Sequence, residues 1–370
     1  MRAVPDVLIF GDTVRSPDLR HEVPVSVPDP FLYVERNGSR TAFVGSLEIP
    51  RLEGVAGLGA VPLEELGLDE LVGQGLTWHE MTPELVLRAC RQASVESAVT
   101  PRDFPLELAD YLRSHAIEVE AKGELFDDRR RVKTEAELDG IRRAQRATEK
   151  AMDAIRARLR EGGDLTSEEL QALANRVFSD ESVTAPDLVL VSSGAQTTIG
   201  HDPGHGPIAA GEPIVVDLFP RDPASGCYAD MTRTFCLGEP PEELVRYHAL
   251  VRRALDVAFA TIRPGLTGAE AHRAVCRVFE EEGFPTQLTK TPGEVLEDGF
   301  FHSLGHGVGL EVHELPGLGR NGEEIVAGDV LAVEPGLYRR GFGGCRLEDL
   351  VLVTDDGCEL LTDYPYDLAP

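Results

Sequence analysis

The chain has 370 residues, more than one typical domain needs, so we expect two domains. Apolar residues make up 42% and charged residues 27%, which excludes a disordered or fibrous protein. The formal net charge is −28, and a field of this sign repels phosphate backbones and anionic lipid headgroups. We therefore expect neither nucleic acid nor a membrane surface as a partner.

The cysteines and the N-terminus point to a cytoplasmic compartment. The six cysteines are scattered and form no Cys-x-x-Cys pair, which is typical of reduced thiols. The apolar run at residues 7–10 is too short for a signal-peptide core, and no stretch approaches the roughly 20 apolar residues of a membrane span. We expect a soluble cytoplasmic protein.

The first third of the chain has the pattern of a small α/β domain, which we place at residues 1–126. Residues 31–44 form two arms of alternating apolar residues around Asn37-Gly38, a sequence typical of a tight β-hairpin turn. Prolines recur in the connections, and we find no candidate catalytic residue in this region.

A second domain is predicted at residues 127–370. It opens with a charge run at residues 127–133, which is typical of a solvated linker or an exposed face. Thr134-x-x-Glu137 then predicts the capped start of a helix that ends at Gly162-Gly163. Further helices are predicted to start at Thr166 and Thr267 and to span residues 242–262.

The strands of the second domain alternate with these helices, as if one unit of helices and strands occurs twice. The strongest strand candidates are residues 188–191, 214–218, 232–236, 330–333 and 350–353.

Four carboxylates lie in or beside these apolar strands. Asp217 and Glu334 each close an apolar run, while Asp230 and Glu348 precede or follow strand residues in an alternating pattern. Any one of them is typical of a strand end that reaches solvent. Four together would repel one another strongly unless a positive charge lies between them, and one or two divalent metal ions supply that charge.

A glycine-rich segment adds imidazoles to this set. Three of the ten histidines, His302, His306 and His313, lie within twelve residues, between glycines that allow close backbone approach to a ligand. An isolated histidine is more often a core residue, but this grouping favours a site. One imidazole and four carboxylates form an oxygen-rich ligand set that suits Mn²⁺ or Co²⁺, with Zn²⁺ as an alternative. Such a centre favours hydrolysis over redox chemistry.

Five motifs together resemble the pita-bread metallopeptidases, and more narrowly the Xaa-Pro branch of prolidases and Xaa-Pro aminopeptidases. The resemblance covers roughly residues 131–358 and implies an α+β fold, with a pita-bread catalytic domain and a smaller α/β N-terminal domain. The motifs are Val216-Asp217-Leu218, Ala229-Asp230-Met-Thr-Arg-Thr234, the segment from Gly305 to Glu314, Val333-Glu-Pro-Gly-Leu-Tyr338 and Arg346-Leu-Glu-Asp349.

The resemblance also implies roles for individual residues. It makes two divalent metal ions the cofactor and implies a homodimer. His201, His313, Glu334 and Arg346 match catalytic residues, with His302, His313 and Arg346 placed to contact substrate. The implied metal ligands are Asp217, Asp230, His306, Glu334 and Glu348. Gly200 stands where the family usually has proline, and His205 is close enough to compete with His201 for its role.

The function predicted from these motifs is metal-dependent hydrolysis of Xaa-Pro bonds in dipeptides or short peptides. A Xaa-Pro dipeptidase is favoured mildly by the small N-terminal domain, and a Xaa-Pro aminopeptidase acting on longer peptides is the alternative. A non-catalytic binding protein and another C–N hydrolase of the same fold are weaker alternatives, because all five candidate ligands are present.

Overall fold

The computed structural model describes residues 5–370, and its contacts divide the chain into two units, one ending at Arg130 and the other starting at Arg131. The predicted boundary between residues 126 and 127 lies inside a helix that spans Gly123–Arg131. Because this helix continues past residue 127, no loop marks the change from one unit to the other.

The first unit is a six-stranded mixed sheet with helices. In sheet order the strands are β4-β3-β2-β1-β5-β6. Its strands are β1 (Asp6–Gly11), β2 (Phe31–Arg36), β3 (Ser39–Val44), β4 (Leu58–Pro62), β5 (Ser97–Thr100) and β6 (Glu118–Ala121). Its helices are α1 (Pro17–Glu22), α2 (Ile49–Leu52), α3 (Leu68–Gly73), α4 (Trp78–Gln92), α5 (Leu106–Ser114) and α6 (Gly123–Arg131).

The predicted hairpin of the first unit is confirmed. Strands β2 and β3 are antiparallel, and Arg36 pairs with Ser39 across the turn. Asn37 and Gly38 both have positive φ, 51° and 79°, as a two-residue turn that follows the strand twist requires.

The second unit holds four long helices and ten strands. The helices are α7 (Glu135–Glu161), α8 (Ser167–Asp180), α9 (Glu242–Thr261) and α10 (Gly268–Glu280). The strands are β7 (Val189–Ser193), β8 (Pro213–Leu218), β9 (Met231–Cys236), β10 (Asp298–Gly299), β11 (Gly305–Gly307), β12 (Val330–Val333), β13 (Gly336–Arg339), β14 (Gly343–Arg346), β15 (Asp349–Val353) and β16 (Cys358–Leu360).

Local sequence explains where these helices start. Thr134 and Thr267 form the predicted capping boxes, in which the threonine side chain accepts from the backbone N–H three residues on and the glutamate there accepts from the threonine N–H. The side chain of Thr166 accepts from the Glu169 N–H at the start of α8. Helix α7 ends at Glu161, and the C-cap residue Gly162 has a φ of +69°.

Each pair of helices packs on its own strands. Apolar residues of α7 and α8 share a core with β7, β8 and β9, which form an antiparallel three-stranded sheet. Apolar residues of α9 and α10 share a second core with β12, β13, β14 and β15. These strands belong to two further sheets, in the orders β10-β13-β14 and β11-β12-β15-β16. The strands that carry the acidic motifs are therefore held by cores on both sides of the second unit.

The prediction that the charge run at residues 127–133 is a solvated linker or face is wrong for Arg130 and Lys133. Its first five residues belong to α6, and the side chains of Arg130 and Lys133 are buried. Each buried cation has a carboxylate partner: Arg130 Nε lies 2.8 Å from Asp18 Oδ1, and Lys133 Nζ lies 2.8 Å from Glu314 Oε2. Burial of these charges follows from long-range pairing that the run itself does not reveal.

Two further features concern the helices and the cysteines. None of the helices in residues 5–370 combines the length and apolar character needed to cross a membrane. All six cysteines, which lie within the described residues, are free thiols, and burial raises the pKa of Cys227 and Cys345 to about 12, so these thiols stay protonated.

A buried histidine makes the second unit sensitive to acid. His272 on α10 is 1% exposed, its Nε2 lies 3.4 Å from Cys276 Sγ and its ring packs on Phe300. Burial lowers the pKa of His272 from 6.5 to about 4. Because the unfolded chain binds this proton more readily, the stability that neutral His272 contributes is present above pH 6.5 and is lost as the pH falls toward 4.

We expect His272→Leu to flatten the pH dependence of stability between pH 6.5 and 4 by up to about 3 kcal/mol. Urea denaturation at several pH values measures this, and His205→Leu, which changes an exposed histidine of the same unit, is the matched control. Parallel curves for wild type and His272→Leu would contradict the prediction.

Candidate metal centre

One large cavity of about 820 Å³ lies in the second unit, within the size range of small-molecule sites. All five residues predicted as metal ligands line it, as do His201, His302, His313 and Arg346. The structure therefore brings every predicted site residue to a common space, although the residues are separated by up to 147 positions in sequence (201 to 348).

Strand ends deliver the five candidate ligands to this cavity. Asp217 is in β8, Asp230 immediately precedes β9, His306 is the central residue of β11, Glu334 directly follows β12, and Glu348 lies between β14 and β15. Strand register places Asp217 opposite Thr232 of β9, two residues after Asp230, and His306 opposite Ala332 of β12, two residues before Glu334.

Three of these side chains form a tight cluster. One ligand atom each from Asp230, His306 and Glu348 lies within 4.8 Å of the others. His306 Nε2 is 3.8 Å from both Asp230 Oδ2 and Glu334 Oε1, longer than a hydrogen bond. His306 Nδ1 donates to the Gly307 carbonyl oxygen at 3.1 Å, which leaves Nε2 unprotonated and able to bind a metal.

The electrostatics of the cluster show a deficit of positive charge. Burial and three neighbouring carboxylates raise the pKa of Asp230 well above its usual value, and burial and two of these carboxylates do the same for Glu348. Burial raises the pKa of Glu334 to about 7 although Arg346 opposes the shift. One guanidinium does not compensate four carboxylates that line the same cavity.

Two buried oxygens of the cluster are available to bind a cation. Asp217 Oδ1 and Asp230 Oδ1 are buried and have no hydrogen-bond partner, and buried carboxylate oxygens without a partner are costly. The donor set, four carboxylates and an unprotonated imidazole nitrogen, suits hard divalent cations. The residues present therefore fit a metal centre.

Arg346 binds the acidic cluster from one side. Its Nη2 donates to Asp217 Oδ2 at 2.5 Å, and its Nε donates to Thr232 Oγ1 at 3.2 Å. The Thr232 hydroxyl in turn donates to Glu348 Oε2 at 2.7 Å. Thr232 thus links the guanidinium to a second carboxylate. Thr232 belongs to the motif of residues 229–234, but we did not predict this role for it.

Tyr338 connects Arg346 to His302. Arg346 Nη1 lies 3.4 Å from Tyr338 Oη, which is 3.0 Å from His302 Nε2. Since His302 Nδ1 donates to the Ser303 carbonyl oxygen at 2.7 Å, Nε2 accepts the Tyr338 hydroxyl proton. Burial lowers the pKa of His302 to about 3, so the ring is neutral. Both ring nitrogens of His302 are engaged within the protein.

Sequence reasoning missed Tyr338, although two glycines could have indicated it. A Cβ at Gly336 would lie 2.4 Å from Tyr338 Oη, and one at Gly344 would lie 2.1 Å from Tyr338 Cδ1. The two strands β13 and β14 therefore hold the ring in a space that only glycine leaves open.

The remaining histidines differ in their surroundings. The rings of His306 and His313 are edge to face, with centroids 4.1 Å apart, and burial lowers the pKa of His313. His201 lines the cavity and has a φ of +64°, a strained value for a residue with a side chain. His205 lies outside the cavity lining, and its backbone N–H donates to Gln196 Oε1 at 2.9 Å.

Comparison with known proteins identifies a family and a fold. The profile of metallopeptidase family M24 matches residues 139–355, more than half of the chain. A relative from Mycobacterium tuberculosis, named probable dipeptidase PepE, is 32% identical over 251 residues, which are 65% of this chain and 60% of that protein. The match thus spans less than two thirds of the relative's length.

Two solved structures superpose on nearly the whole chain. A prolidase from Pyrococcus horikoshii OT3 has a TM-score of 0.79 at 24% identity and covers 99% of this chain and 96% of its own. An X-Pro aminopeptidase from Thermotoga maritima has a TM-score of 0.80 at 21% identity, with 98% and 96% covered. These likenesses confirm the predicted fold class, an α+β pita-bread domain with a smaller α/β N-terminal domain.

Removal of one carboxylate should separate repulsion from metal binding. In protein dialysed against a chelator, we expect Glu348→Gln to unfold at a temperature equal to or above that of wild type, because it removes a buried negative charge. On addition of Mn²⁺ at about 100 times its dissociation constant for wild type, wild type should gain about 2.7 kcal/mol and Glu348→Gln much less. Differential scanning calorimetry measures both effects, and equal gains in the two proteins would refute the assignment.

Proposed function

The chain belongs to metallopeptidase family M24, and we propose that it hydrolyses the peptide bond that precedes proline, foremost as a Xaa-Pro dipeptidase. The observation that carries the proposal is the convergence of four carboxylates and one imidazole on one cavity, with two buried carboxylate oxygens that lack a partner. Relatives and structural neighbours named as dipeptidases and prolidases support the substrate class.

In this proposal the cofactor is a pair of divalent cations. Asp217, Asp230, His306, Glu334 and Glu348 hold them, and Mn²⁺ or Co²⁺ suits the oxygen-rich set best, with Zn²⁺ as an alternative. Bound cations of this kind supply a water of lowered pKa and polarisation of the substrate carbonyl.

Glu334 carries the proton in the proposed reaction. Its carboxylate lines the cavity beside the other candidate ligands, where it is placed to accept a proton and to return it. Glu334 takes a proton from the attacking water and delivers it to the proline nitrogen as the C–N bond breaks. The nitrogen needs this proton because an amide anion is a poor leaving group.

The surrounding side chains bind and orient. His313 and His201 line the cavity beside the cluster, and we assign to them the stabilisation of negative charge that develops on the substrate carbonyl oxygen. Arg346 keeps its charge at any working pH and fixes the orientation of Asp217. His302 contributes to the substrate pocket and accepts the hydrogen bond that fixes Tyr338.

One observation favours a Xaa-Pro aminopeptidase as the second candidate. Among the described residues that line the cavity, Arg346 is the only arginine or lysine, and its guanidinium already contacts Asp217, Thr232 and Tyr338. A dipeptide presents a free proline carboxylate that needs positive charge, whereas a longer peptide presents a neutral amide there.

We extend the proposal to assembly and location. The family resemblance supports a homodimer, and the free cysteines support a reducing, cytoplasmic compartment. The net charge of −28 supports small peptides rather than nucleic acid or membranes as partners.

Activity should depend on the metal and on Glu334. Chelation should abolish hydrolysis of Xaa-Pro dipeptides, and Mn²⁺ or Co²⁺ should restore it. Glu334→Gln should lower kcat by about 10²- to 10⁴-fold, because the amide cannot take the proton. Steady-state kinetics measures this, with metal content determined in parallel. Full activity in metal-depleted protein would contradict the proposal.

The same assay decides between the two substrate classes. A dipeptidase should cleave Ala-Pro faster than Ala-Pro-Ala, and an aminopeptidase should show the reverse order. Ala-Ala is the control for proline specificity. Folded, metal-loaded protein that leaves both proline peptides intact would refute hydrolysis before proline.

A further inference from the structure

The second unit contains a buried ion pair outside the candidate metal ligands. Lys133 Nζ lies 2.8 Å from Glu314 Oε2, and the two side chains are 2% and 3% exposed. Lys133 comes from the charge run before α7, and Glu314 directly follows His313. A buried ion pair adds little net stability, because desolvation of the two charges offsets their attraction. Stability alone therefore does not explain why this pair is present.

We propose that Lys133 and Glu314 are positioning residues that hold His313 in the cavity. The inference rests on the proposed function, in which His313 stabilises charge on the substrate carbonyl oxygen.

The loop of residues 307–314, which carries His313, is closed at its base by backbone hydrogen bonds. The Gly307 N–H donates to the Glu314 carbonyl oxygen at 3.0 Å, and the Glu314 N–H donates to the Gly307 carbonyl oxygen at 2.8 Å. Gly307 follows His306, so the same closure fixes the distance between the two imidazoles, whose centroids are 4.1 Å apart.

The Glu314 side chain fills the inside of this loop. Its Oε1 accepts from the Glu311 N–H at 3.2 Å, while Oε2 accepts from Lys133. A Cβ at Gly309 would lie 2.4 Å from Glu314 Oε2 and 2.8 Å from Lys133 Cε. The missing side chain of Gly309 therefore makes the space that the ion pair occupies.

Apolar packing joins the same two segments. Leu138 and Ile141 of α7 share a buried cluster with Val308 and Leu310 of the loop. Lys133 precedes the N-cap of α7 by one residue, so the ion pair and this cluster hold the loop against the start of one rigid helix. Helix α7 thereby sets where His313 stands beside the metal cluster.

A double-mutant cycle tests whether the pair acts through His313. Lys133→Met should lower kcat on the Xaa-Pro substrate at least tenfold, with metal content unchanged, and by less than threefold in a His313→Ala background. Lys133→Arg should recover part of the loss. Equal losses in the two backgrounds would overturn the proposal.

Hydrogen exchange supplies a readout that does not depend on activity. In Lys133→Met the amides of Gly307, Gly309 and Glu314 should exchange faster than in wild type, while the amides of α9 keep their rates. Arg131→Met is the matched control, since it removes a neighbouring ion pair, in which Arg131 Nη2 lies 2.7 Å from Asp329 Oδ2. Unchanged exchange at the three amides would overturn the proposal.

If Lys133→Met does not fold, Gly309→Ala replaces it, because the added methyl group displaces the pair while both charges remain. The same exchange rates and the same double-mutant cycle with His313→Ala are then measured for Gly309→Ala. An inactive wild type would refute the proposed function. The exchange experiment would still test whether the ion pair between Lys133 and Glu314 holds the loop.

Discussion

The mutual repulsion of four carboxylates that line one cavity, three of them buried, dominates the electrostatics of the second unit. Burial and repulsion raise the pKa of Asp230 and Glu348, and among the described residues that line the cavity Arg346 supplies the single guanidinium. A protein that keeps such a cluster stores unfavourable electrostatic energy in its metal-free state. The same repulsion becomes binding energy for a divalent cation, so stability, metal affinity and reactivity are linked through one set of charges.

The fold supplies the rigidity that this cluster needs. Each carboxylate lies in or next to a strand that is covered by a helix pair, and backbone hydrogen bonds fix the strand register. Hydrogen bonds within the site then fix the side chains: the Gly307 carbonyl sets the tautomer of His306, and Thr232 orients Glu348. Because these side chains are already fixed, they lose little conformational entropy when a cation binds.

Features of the fold and the site that depend on residues close together in sequence could be predicted, whereas features that depend on contacts between distant segments could not. The hairpin at Asn37-Gly38 and the helix starts at Thr134 and Thr267 rest on neighbouring residues, and the structure confirms them. The four carboxylates stood out because they occur together in or beside apolar strands, and the family resemblance added His306 to the ligand set. Their joint position followed from the family resemblance, since no local rule brings Asp217 and Glu348 together.

What the sequence did not reveal depends on contacts between distant segments. Tyr338 gains its place from Gly336 and Gly344, and Lys133 is buried because Glu314 reaches it from 181 residues away. Charge patterning alone predicted an exposed position for Lys133. The competing effect was long-range ion pairing, which cancels the cost of burying a charge and has no local signature.

The central claim is that Asp217, Asp230, His306, Glu334 and Glu348 together hold a pair of divalent cations. The most direct test is anomalous X-ray diffraction from crystals of the protein grown with Mn²⁺. The account predicts two anomalous peaks within ligand distance of these five side chains. Manganese bound elsewhere, with this cluster empty at saturating Mn²⁺, would contradict it.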